Sequence, residues 1–593
     1  MKFKPLKKIN SIVEWVQTRL SKKQFVFLSS ILIGISVGLA AVLLKTFSHY
    51  ILIAATHNKL GSYQYLFLLL PLLGIFLTVF VIKRLLKGKL EKGLSQIHYS
   101  ISKKSSTLPK EQMYAQILTS SLTVGLGGSA GLEAPIVITG AAFGSNYSNT
   151  YNLSHKERTL LLACGIAAGI AAAFNAPIAG VLFALEVLLI DISISAFTPL
   201  IIAAATGALI SKIILQDNIL LSFQLQQPFN YNNVPFYVLL GIFAGLVSVY
   251  HSRTFSKIEG FFSKNPNRMY FNVAIGGTAL AALIFIFPSL FGEGYQSIKV
   301  LSGLQPENIL DNSFLHDFKS NEWFVLIFIG ALVFAKAIAT AITIGSGGNG
   351  GNFAPSLFVG AYLGYFFSKL LNMLNLTNLP VSNFTIVGMA GILSGLYHAP
   401  LTAIFLIAEI TGGYTLMIPL MIVSSLSFVI SKYFEPHSMD TKKLALSGEI
   451  FTQDRDHNIL TTISTSKLIE TNFQTISPDI KLGSFVEIIS KSKRNIFPVT
   501  DNDNMLLGII LLDEIRDIIF KSDLYNKVIV SELMKEPPAT ISSTETMEEV
   551  MKKFDETGAW NLPVTDNGQY VGFISKSSVF SSYRTKLKAT TID

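Results

Sequence analysis

Cysteine, tryptophan and charge are all scarce in this chain. A single cysteine, Cys164, among 593 residues leaves no partner for an intramolecular disulfide and excludes a cysteine metal cluster. It lies in an Ala/Gly-rich apolar run and reads as a small packing residue. No clustered set of His, Cys, Asp and Glu has metal-ligand spacing, and no Ser-His-Asp arrangement has supporting context, so enzymatic chemistry is not expected. His98 and His398 stand singly in or near apolar segments and are assigned no chemistry. Charged residues make up only 14% of the chain against 50% hydrophobic, and the mean hydropathy is +0.48, outside the range of soluble globular proteins. Acidic residues are missing altogether between Phe25 and Leu90.

What fills that acid-free region is apolar. Phe25–Thr56 and Tyr65–Ile82 are each long enough to cross a hydrocarbon core, which takes about 17 to 25 helical residues. The N-terminus carries Lys2, Lys4, Lys7, Lys8, Arg19, Lys22 and Lys23 with no apolar run ending in a cleavage site before Lys23. It is therefore expected to be no secretory signal and to lie in the cytoplasm. The net charge of +9 is spread over short stretches flanking apolar segments rather than interleaved with aromatics, so it is read as topology and headgroup contact, and no nucleic-acid partner is expected.

The apolar part repeats itself. Gly128-Ser-Ala-Gly-Leu-Glu-Ala-Pro135, with Gly140 and Gly144 after it, matches Gly348-Asn-Gly-Gly-Asn-Phe-Ala-Pro355, with Gly360 and Gly364 after it, at a constant offset of 220 residues. Gly165, Ala176-Pro177 and Glu186 match Gly388, Ala399-Pro400 and Glu409, every pair 223 apart. Two homologous halves, about 24–215 and 235–434, make up this region. In transporters such halves often pack in opposite orientations, with helices broken at Gly and Pro around a site near the midplane. Inverted halves are therefore expected, although the sequence displays the duplication and not its orientation.

The Gly-rich segments that run into Ala-Pro suit an anion. At a helix N-terminus several backbone N–H groups are unpaired and the macrodipole adds about half a positive charge, enough to attract an anion without trapping it as a fixed lysine would. Glycine permits close approach, and proline in the first turn gives up an N–H that has no partner there. Gly131–Pro135 and Gly351–Pro355 thus read as helix starts aimed at one central site, tolerated because broken backbone lines a cavity. The pairs Gly34/Gly38, Gly140/Gly144 and Gly360/Gly364 are read more simply, as small residues that pack helices. Packing does not account for Glu133, because a carboxylate in an apolar run is costly and its default reading is functional.

Around Tyr433 the composition turns charged, with short alternating apolar runs, and stays so to Asp593. Asn495-Ile-Phe-Pro-Val-Thr-Asp501 followed by Leu507-Gly-Ile-Ile510 returns as Asn561-Leu-Pro-Val-Thr-Asp566 followed by Val571-Gly-Phe-Ile574, the prolines 65 and the glycines 64 residues apart. Two stacked copies of one module are indicated, and they resemble the CBS pair.

Gly131-Leu-Glu-Ala-Pro135, Gly351-Asn-Phe-Ala-Pro355, the two Ala-Pro helices and the trailing CBS-like pair together resemble the CLC family of chloride channels and chloride/proton exchangers, over essentially the whole chain. The resemblance implies an all-α polytopic membrane domain followed by an α/β CBS-pair domain. Its expected boundaries are a basic cytoplasmic segment 1–23, the transport domain 24–434, a linker 435–463, and CBS modules at 464–522 and 527–588. It implies that Glu133 is the gate, occupying an anion site when ionised and swinging away when protonated. It also implies that Gly131, Leu132, Gly351, Asn352 and Phe353 line the anion site. The family's first anion motif, usually Gly-Ser-Gly-Ile-Pro, aligns best with Glu91-Lys-Gly-Leu-Ser95. Lys92 and Gly93 therefore fall at the anion-binding position, where Lys92 either coordinates the ion or snorkels to the cytoplasmic face. The family's pore tyrosine falls at Ser438 or Met439.

Exchangers in the family commonly carry two adjacent acidic residues after the first Ala-Pro, and here the pair is Glu186-Val187. Valine relays no proton, so a voltage- or pH-gated chloride channel is favoured over a chloride/proton antiporter. Glu186 is kept as a candidate proton-path residue, beside the plainer reading that Glu186 and Glu409 cap or pair at helix ends. A CBS-regulated divalent-cation transporter is the remaining alternative, but its path should be lined by carboxylates or carbonyls rather than helix starts. CBS pairs often hold adenine nucleotides through an Asp ending a Gly-x-Ile-Thr-x-x-Asp turn. Each copy here is half intact, with Asp513 but no threonine in the first and Ser575 but no aspartate in the second, so ATP or AMP binding and a purely structural role both stand open. Chloride is the expected substrate and no cofactor is required. A homodimer in the lipid bilayer of a bacterial inner membrane, both termini cytoplasmic, completes the expectation.

Overall fold

The structure, a computed structural model, describes residues 20–57, 66–188, 194–216, 228–264, 268–303, 306–311, 313–446, 460 and 463–590. Most of the expected N-terminal segment and of the expected linker lies outside the described residues. The chain divides into two compact units near residue 450.

The first unit is helical. Its first half, among the described residues, runs α1 (Lys22–His57), α2 (Leu70–Arg84), α3 (Ser95–Lys103), α4 (Gln112–Gly125), α5 (Glu133–Thr150), α6 (His155–Phe174), α7 (Pro177–Leu188) and α8 (Ile194–Leu215). The second half repeats this order as α9 (Val234–Ser263), α10 (Met269–Ile286), α11 (Tyr295–Ser302), α12 (Glu322–Gly345), α13 (Phe353–Met373), α14 (Val381–Tyr397), α15 (Pro400–Ile410) and α16 (Met417–Phe434). Neighbours repeat too: α5 packs on α6 as α13 does on α14, and α1 on α8 as α9 does on α16. The spans expected at Phe25–Thr56 and Tyr65–Ile82 are α1 and the turn-plus-helix Phe67–Arg84, two of eight helices among the described residues that are long and apolar enough to cross a membrane. By contrast α7 and α15, with 12 and 11 residues, reach only about 18 Å at 1.5 Å per residue and cannot cross alone.

The halves are inverted. Gly131 and Gly351 form an antiparallel bridge in which each N–H donates to the other's carbonyl at 2.8 Å. The carboxylate near the end of α7, Glu186, reaches the start of α15, while Glu409 near the end of α15 reaches the start of α7. Two repeat-related helices that exchange end-to-start contacts run antiparallel. The same exchange continues at Thr123 and Thr343, 220 residues apart: Thr123 Oγ1 accepts Asn349 N–H at 2.9 Å, and Thr343 Oγ1 accepts Ser129 N–H at 3.2 Å.

Small residues let the backbones meet. A Cβ on Gly140 or Gly165 would strike the other's carbonyl, as would one on Gly360 or Gly388, so each α5/α6-type contact needs glycine on both sides. Gly34 and Gly38 do the same for α1 against α8. Helices α6 and α14 end at equivalent left-handed residues, Asn175 (φ +56°) and His398 (φ +55°), which turn the chain into the Ala-Pro start of the next helix. His398 is thus a helix-end histidine, while His98 is buried with Nε2 lacking a hydrogen bond.

In the second unit two modules repeat with the sequence offset. Module 1 holds α18 (Leu482–Lys491), β1 (Ile496–Thr500), β2 (Leu506–Leu511) and α19 (Leu512–Ile519), a short helix α17 (Lys442–Leu446) having closed the first unit. Module 2 holds α20 (Met547–Thr557), β3 (Asn561–Asp566), β4 (Gln569–Ser575) and α21 (Lys576–Thr590). Pro498 opposes Ile509 in the β1–β2 hairpin and Pro563 opposes Phe573 in β3–β4. The segment leading into each module pairs with the other module, Glu470 with Phe573 and Lys535 with Ile509. Ile463, in the expected linker, is 5% exposed and belongs to the core of module 2.

Candidate anion site

The Gly131–Gly351 bridge brings the starts of α5 and α13 together. Neither start has a side-chain cap, and the cap residues are Leu132 and Asn352. The first-turn N–H groups of both helices lack partners within their own helix and face a common centre with the positive ends of two dipoles. Pro135 and Pro355, third in each helix, have no N–H to leave unpaired.

Glu133 opens α5 and is 4% exposed. Tyr295 at the start of α11 donates its hydroxyl to Oε1, while Oε2 makes no hydrogen bond. The backbone N–H groups of Glu133 itself and of Ala354 on the opposite helix face the carboxylate. A Cβ on Gly131 would collide with Oε2, so glycine is needed there because the carboxylate folds back over the backbone. The side chain therefore stands where donors converge from both halves.

From α13, the Phe353 ring is 2% exposed among Phe174, Phe183 and Tyr397, with centroids at 5.3, 5.9 and 5.5 Å. The Asn352 amide is held by His251 Nε2 at 3.3 Å and by Met439 Sδ at 3.4 Å. Of the two positions aligned with the pore tyrosine, it is Met439 that touches this motif.

Lys92 lies beside the loop that leads to the second helix start. Its ammonium donates to the carbonyls of Gly347 and Gly348 at 2.6 and 2.9 Å, at the end of α12 just before the second helix start. It braces the loop that carries Gly351, using two of its three donors. Gly93 turns the chain with φ +81°, and a Cβ added there would meet Ser95 Oγ at 3.6 Å. Glu186 is separate from the central site: it accepts Leu401 N–H at 3.0 Å, Thr402 N–H at 2.7 Å and the Thr402 hydroxyl at 2.6 Å. Glu409 mirrors it on Ile178 and Ala179 N–H at 3.0 and 2.8 Å. Both carboxylates are engaged as caps of the opposite half's Ala-Pro helix.

In the second unit the two nucleotide candidates stand apart in character. The Asp513 side chain is 76% exposed and paired with Arg516. Ser575 accepts Ser578 N–H at 3.1 Å, capping α21, and donates to Glu470 Oε1 at 2.9 Å.

Four ionisable residues around the centre escaped sequence reasoning: Lys45, Glu293, Tyr295 and Lys336. Lys336 is fully buried on α12 and donates to Ser129 Oγ and the Gly292 carbonyl, both at 2.9 Å, over the Phe358 ring. Lys45, inside the longest apolar helix, donates to the carbonyl of Ala173 and, at 3.4 Å, to that of Ala172, at the end of α6. For Lys45 and Lys336 the available signal was the one that singled out Glu133, a charge inside an apolar segment.

Comparison with known proteins agrees with this architecture. The family model for voltage gated chloride channels matches residues 74–432, and the CBS domain model matches 466–521 and 530–584. A putative ClcB-like chloride channel protein from Ralstonia nicotianae is 29% identical over 384 residues, covering 64% of this chain and 85% of that protein. Chloride channel protein CLC-e from Arabidopsis thaliana is 26% identical over 514 residues, covering 77% of this chain and 69% of its own length. Among solved structures, a slow cyanobacterial chloride/proton antiporter matches with a TM-score of 0.62 at 20% identity over 72% of this chain and 98% of that one. A eukaryotic CLC transporter matches with a TM-score of 0.60 at 18% identity over 94% and 99%. At these identities the structures establish the fold.

Proposed function

Since the chain belongs to the voltage-gated chloride channel (CLC) family of integral membrane anion transporters, we propose that it passes chloride through a pore gated by Glu133, as a channel rather than a proton-coupled exchanger. The observation that carries this reading is the carboxylate of Glu133 lying between two uncapped helix starts, where a halide competes with it for the same donors. Ionised, the side chain blocks that position. Protonated, it loses its attraction to the two dipoles and gives way. Gly131, Leu132, Gly351, Asn352 and Phe353 form the remaining walls, and Lys92 and Gly93 the inward approach.

Two observations favour passive flow. Glu186, the proton-path candidate, is fully engaged in capping α15, and the next residue is Val187. The relatives at 26–29% identity are named chloride channels. The antiporter reading draws on the titles of structural neighbours, a slow chloride/proton antiporter among them.

Efflux from liposomes tests the proposal. Chloride release from vesicles holding the purified protein should proceed with a potassium ionophore as the only charge shunt and should move no protons. Glu133→Gln should keep chloride efflux and lose its pH dependence. Uphill proton movement driven by a chloride gradient identifies an exchanger instead, and unchanged pH gating in Glu133→Gln would falsify the gate. Magnesium uptake in the same vesicles is expected to be nil. The same reading includes a homodimer in a bacterial inner membrane with both termini in the cytoplasm. It also includes CBS modules acting in folding or as an ATP/AMP sensor.

A further inference from the structure

Beside the central site lies a cavity of ≈ 10 Å³, about the room one water needs. Three ionisable side chains from separate parts of the fold border it: Lys45 from α1, Glu133 from α5 and Glu293 from the turn before α11. Glu293 Oε1 accepts the N–H of Leu132 at 3.2 Å. That amide is the last donor before α5 begins, and it belongs to the set a passing halide needs. A carboxylate oxygen on an amide at a helix start is chemically an anion in an anion site.

Glu293 differs from the two structural caps. Glu186 and Glu409 each engage two successive N–H groups at 2.7–3.0 Å with both oxygens. Glu293 holds a single N–H through one oxygen, at a longer distance, and is only partly buried, whereas Glu133 behind it is 4% exposed. It also sits at the position in the second half that corresponds to Lys92: each precedes a glycine with positive φ, Gly294 (+94°) and Gly93 (+81°), that leads into the short helix α11 or α3. Lys92 neutralises carbonyls of the opposite half, and Glu293 occupies an amide of the opposite half.

We infer that Glu293 is a second carboxylate plug, seated on the Leu132 amide between solvent and Glu133, which an anion must displace before it meets the gate. Lys45, whose ammonium is anchored on the α6 carbonyls and borders the same cavity, is the cation toward which the released carboxylate or the arriving anion turns. The groups facing Glu293 are Glu133 from α5, Lys45 from α1, Lys336 from α12 and Tyr295 from α11. Glu133 and Glu293 border the same cavity, so each carboxylate repels the other when both are ionised. The inference deepens the reading of Glu133 as a gate and rests on it.

Chloride efflux and chloride binding in four proteins, the native chain, Glu293→Gln, Glu133→Gln and the double variant, test it. Glu293→Gln keeps an acceptor for Leu132 but not the charge. It should raise initial efflux at neutral pH several-fold and tighten chloride binding by calorimetry, while retaining the pH dependence that Glu133 confers. Glu133→Gln should remove that pH dependence with Glu293 intact, so the two readings fail separately. Unchanged or slower efflux together with unchanged chloride affinity in Glu293→Gln overturns the plug. Bromide soaked into crystals of the native protein gives a reading free of mutation. Anomalous scattering at the Leu132 amide is expected only where the Glu293 carboxylate has moved off it, and bromide beside an undisplaced Glu293 overturns the inference.

Discussion

The two halves of the membrane unit share their frame and differ in its contents. Helix for helix they repeat, and the bridge at Gly131–Gly351, the threonine exchange and the capping glutamates are the same on both sides of the pseudo-symmetry. Yet where the first half opens its central helix with Glu133, the second opens with Phe353, and where the first half has Lys92 the second has Glu293. Duplication supplies converging helix dipoles. A handful of unequal residues at equivalent positions makes the two sides of the centre unlike.

The shared frame is the costliest thing to break. Gly131→Val or Gly351→Val forces a branched side chain against Ala354 or Ala134 of the other half. Either should cost about 3 kcal/mol or more, as overpacking of a close backbone contact does, and should be seen as loss of the monodisperse protein on size exclusion. If only one of the two matters, the frame is less symmetric than its hydrogen bonds.

Making the contents symmetric comes next. Phe353→Glu puts a second carboxylate at the other helix start, and chloride efflux at neutral pH should fall about tenfold or more, a barrier increase of about 1.4 kcal/mol. Unaltered efflux would mean that the second start does not face the ion.

The capping glutamates test equivalence directly. Glu186→Gln and Glu409→Gln should each lower thermal stability by about 0.5–2 kcal/mol through weakened helix caps, with similar shifts and chloride efflux retained. A transport defect confined to Glu186→Gln would break the comparison and return that residue to a proton path.

Smaller effects separate the two CBS modules. Ser575→Ala removes the cap of α21 and should cost about 1 kcal/mol, whereas Asp513→Ala, at an exposed ion pair, should change stability by less than about 1 kcal/mol. Smallest is a pH effect in module 2. Asp566 accepts from the Ser543 hydroxyl and N–H and from the Ser542 hydroxyl, which hold its carboxyl below the ordinary aspartate range. Its contribution is present above the unfolded value, about 4, and is lost as pH falls through the lower folded value. Asp566→Asn should therefore flatten the acid limb of the unfolding curve, with a small loss of stability at pH 7 that vanishes below the folded value.

Legibility followed the physics of each feature. The duplicated halves, the broken helices and the repeated modules could be read because glycine, proline and apolar periodicity act locally and recur at offsets of 220, 223 and 65 residues. Glu133 stood out because an acid in an apolar run has no cheap local explanation. Lys45 and Lys336 carried the same signal but satisfy their charge on carbonyls and hydroxyls distant in sequence, Ala173 for one and Ser129 with Gly292 for the other. Glu293 lies in a polar turn, where a carboxylate raises no question until its partner amide is known. Ile463 looked like linker because one isoleucine among polar neighbours has no period, and only the module 2 core gives it a place.

By itself, then, the sequence determined the membrane class, the duplication and the helix starts and singled out Glu133, since each rests on composition or on spacing along the chain. The orientation of the halves, the pairing of Gly131 with Gly351, the capping duty of Glu186 and the seat of Glu293 on Leu132 were decided only in three dimensions. Each joins residues more than 150 positions apart, and a hydrogen bond across such a separation leaves no trace in local pattern until packing brings its two ends together.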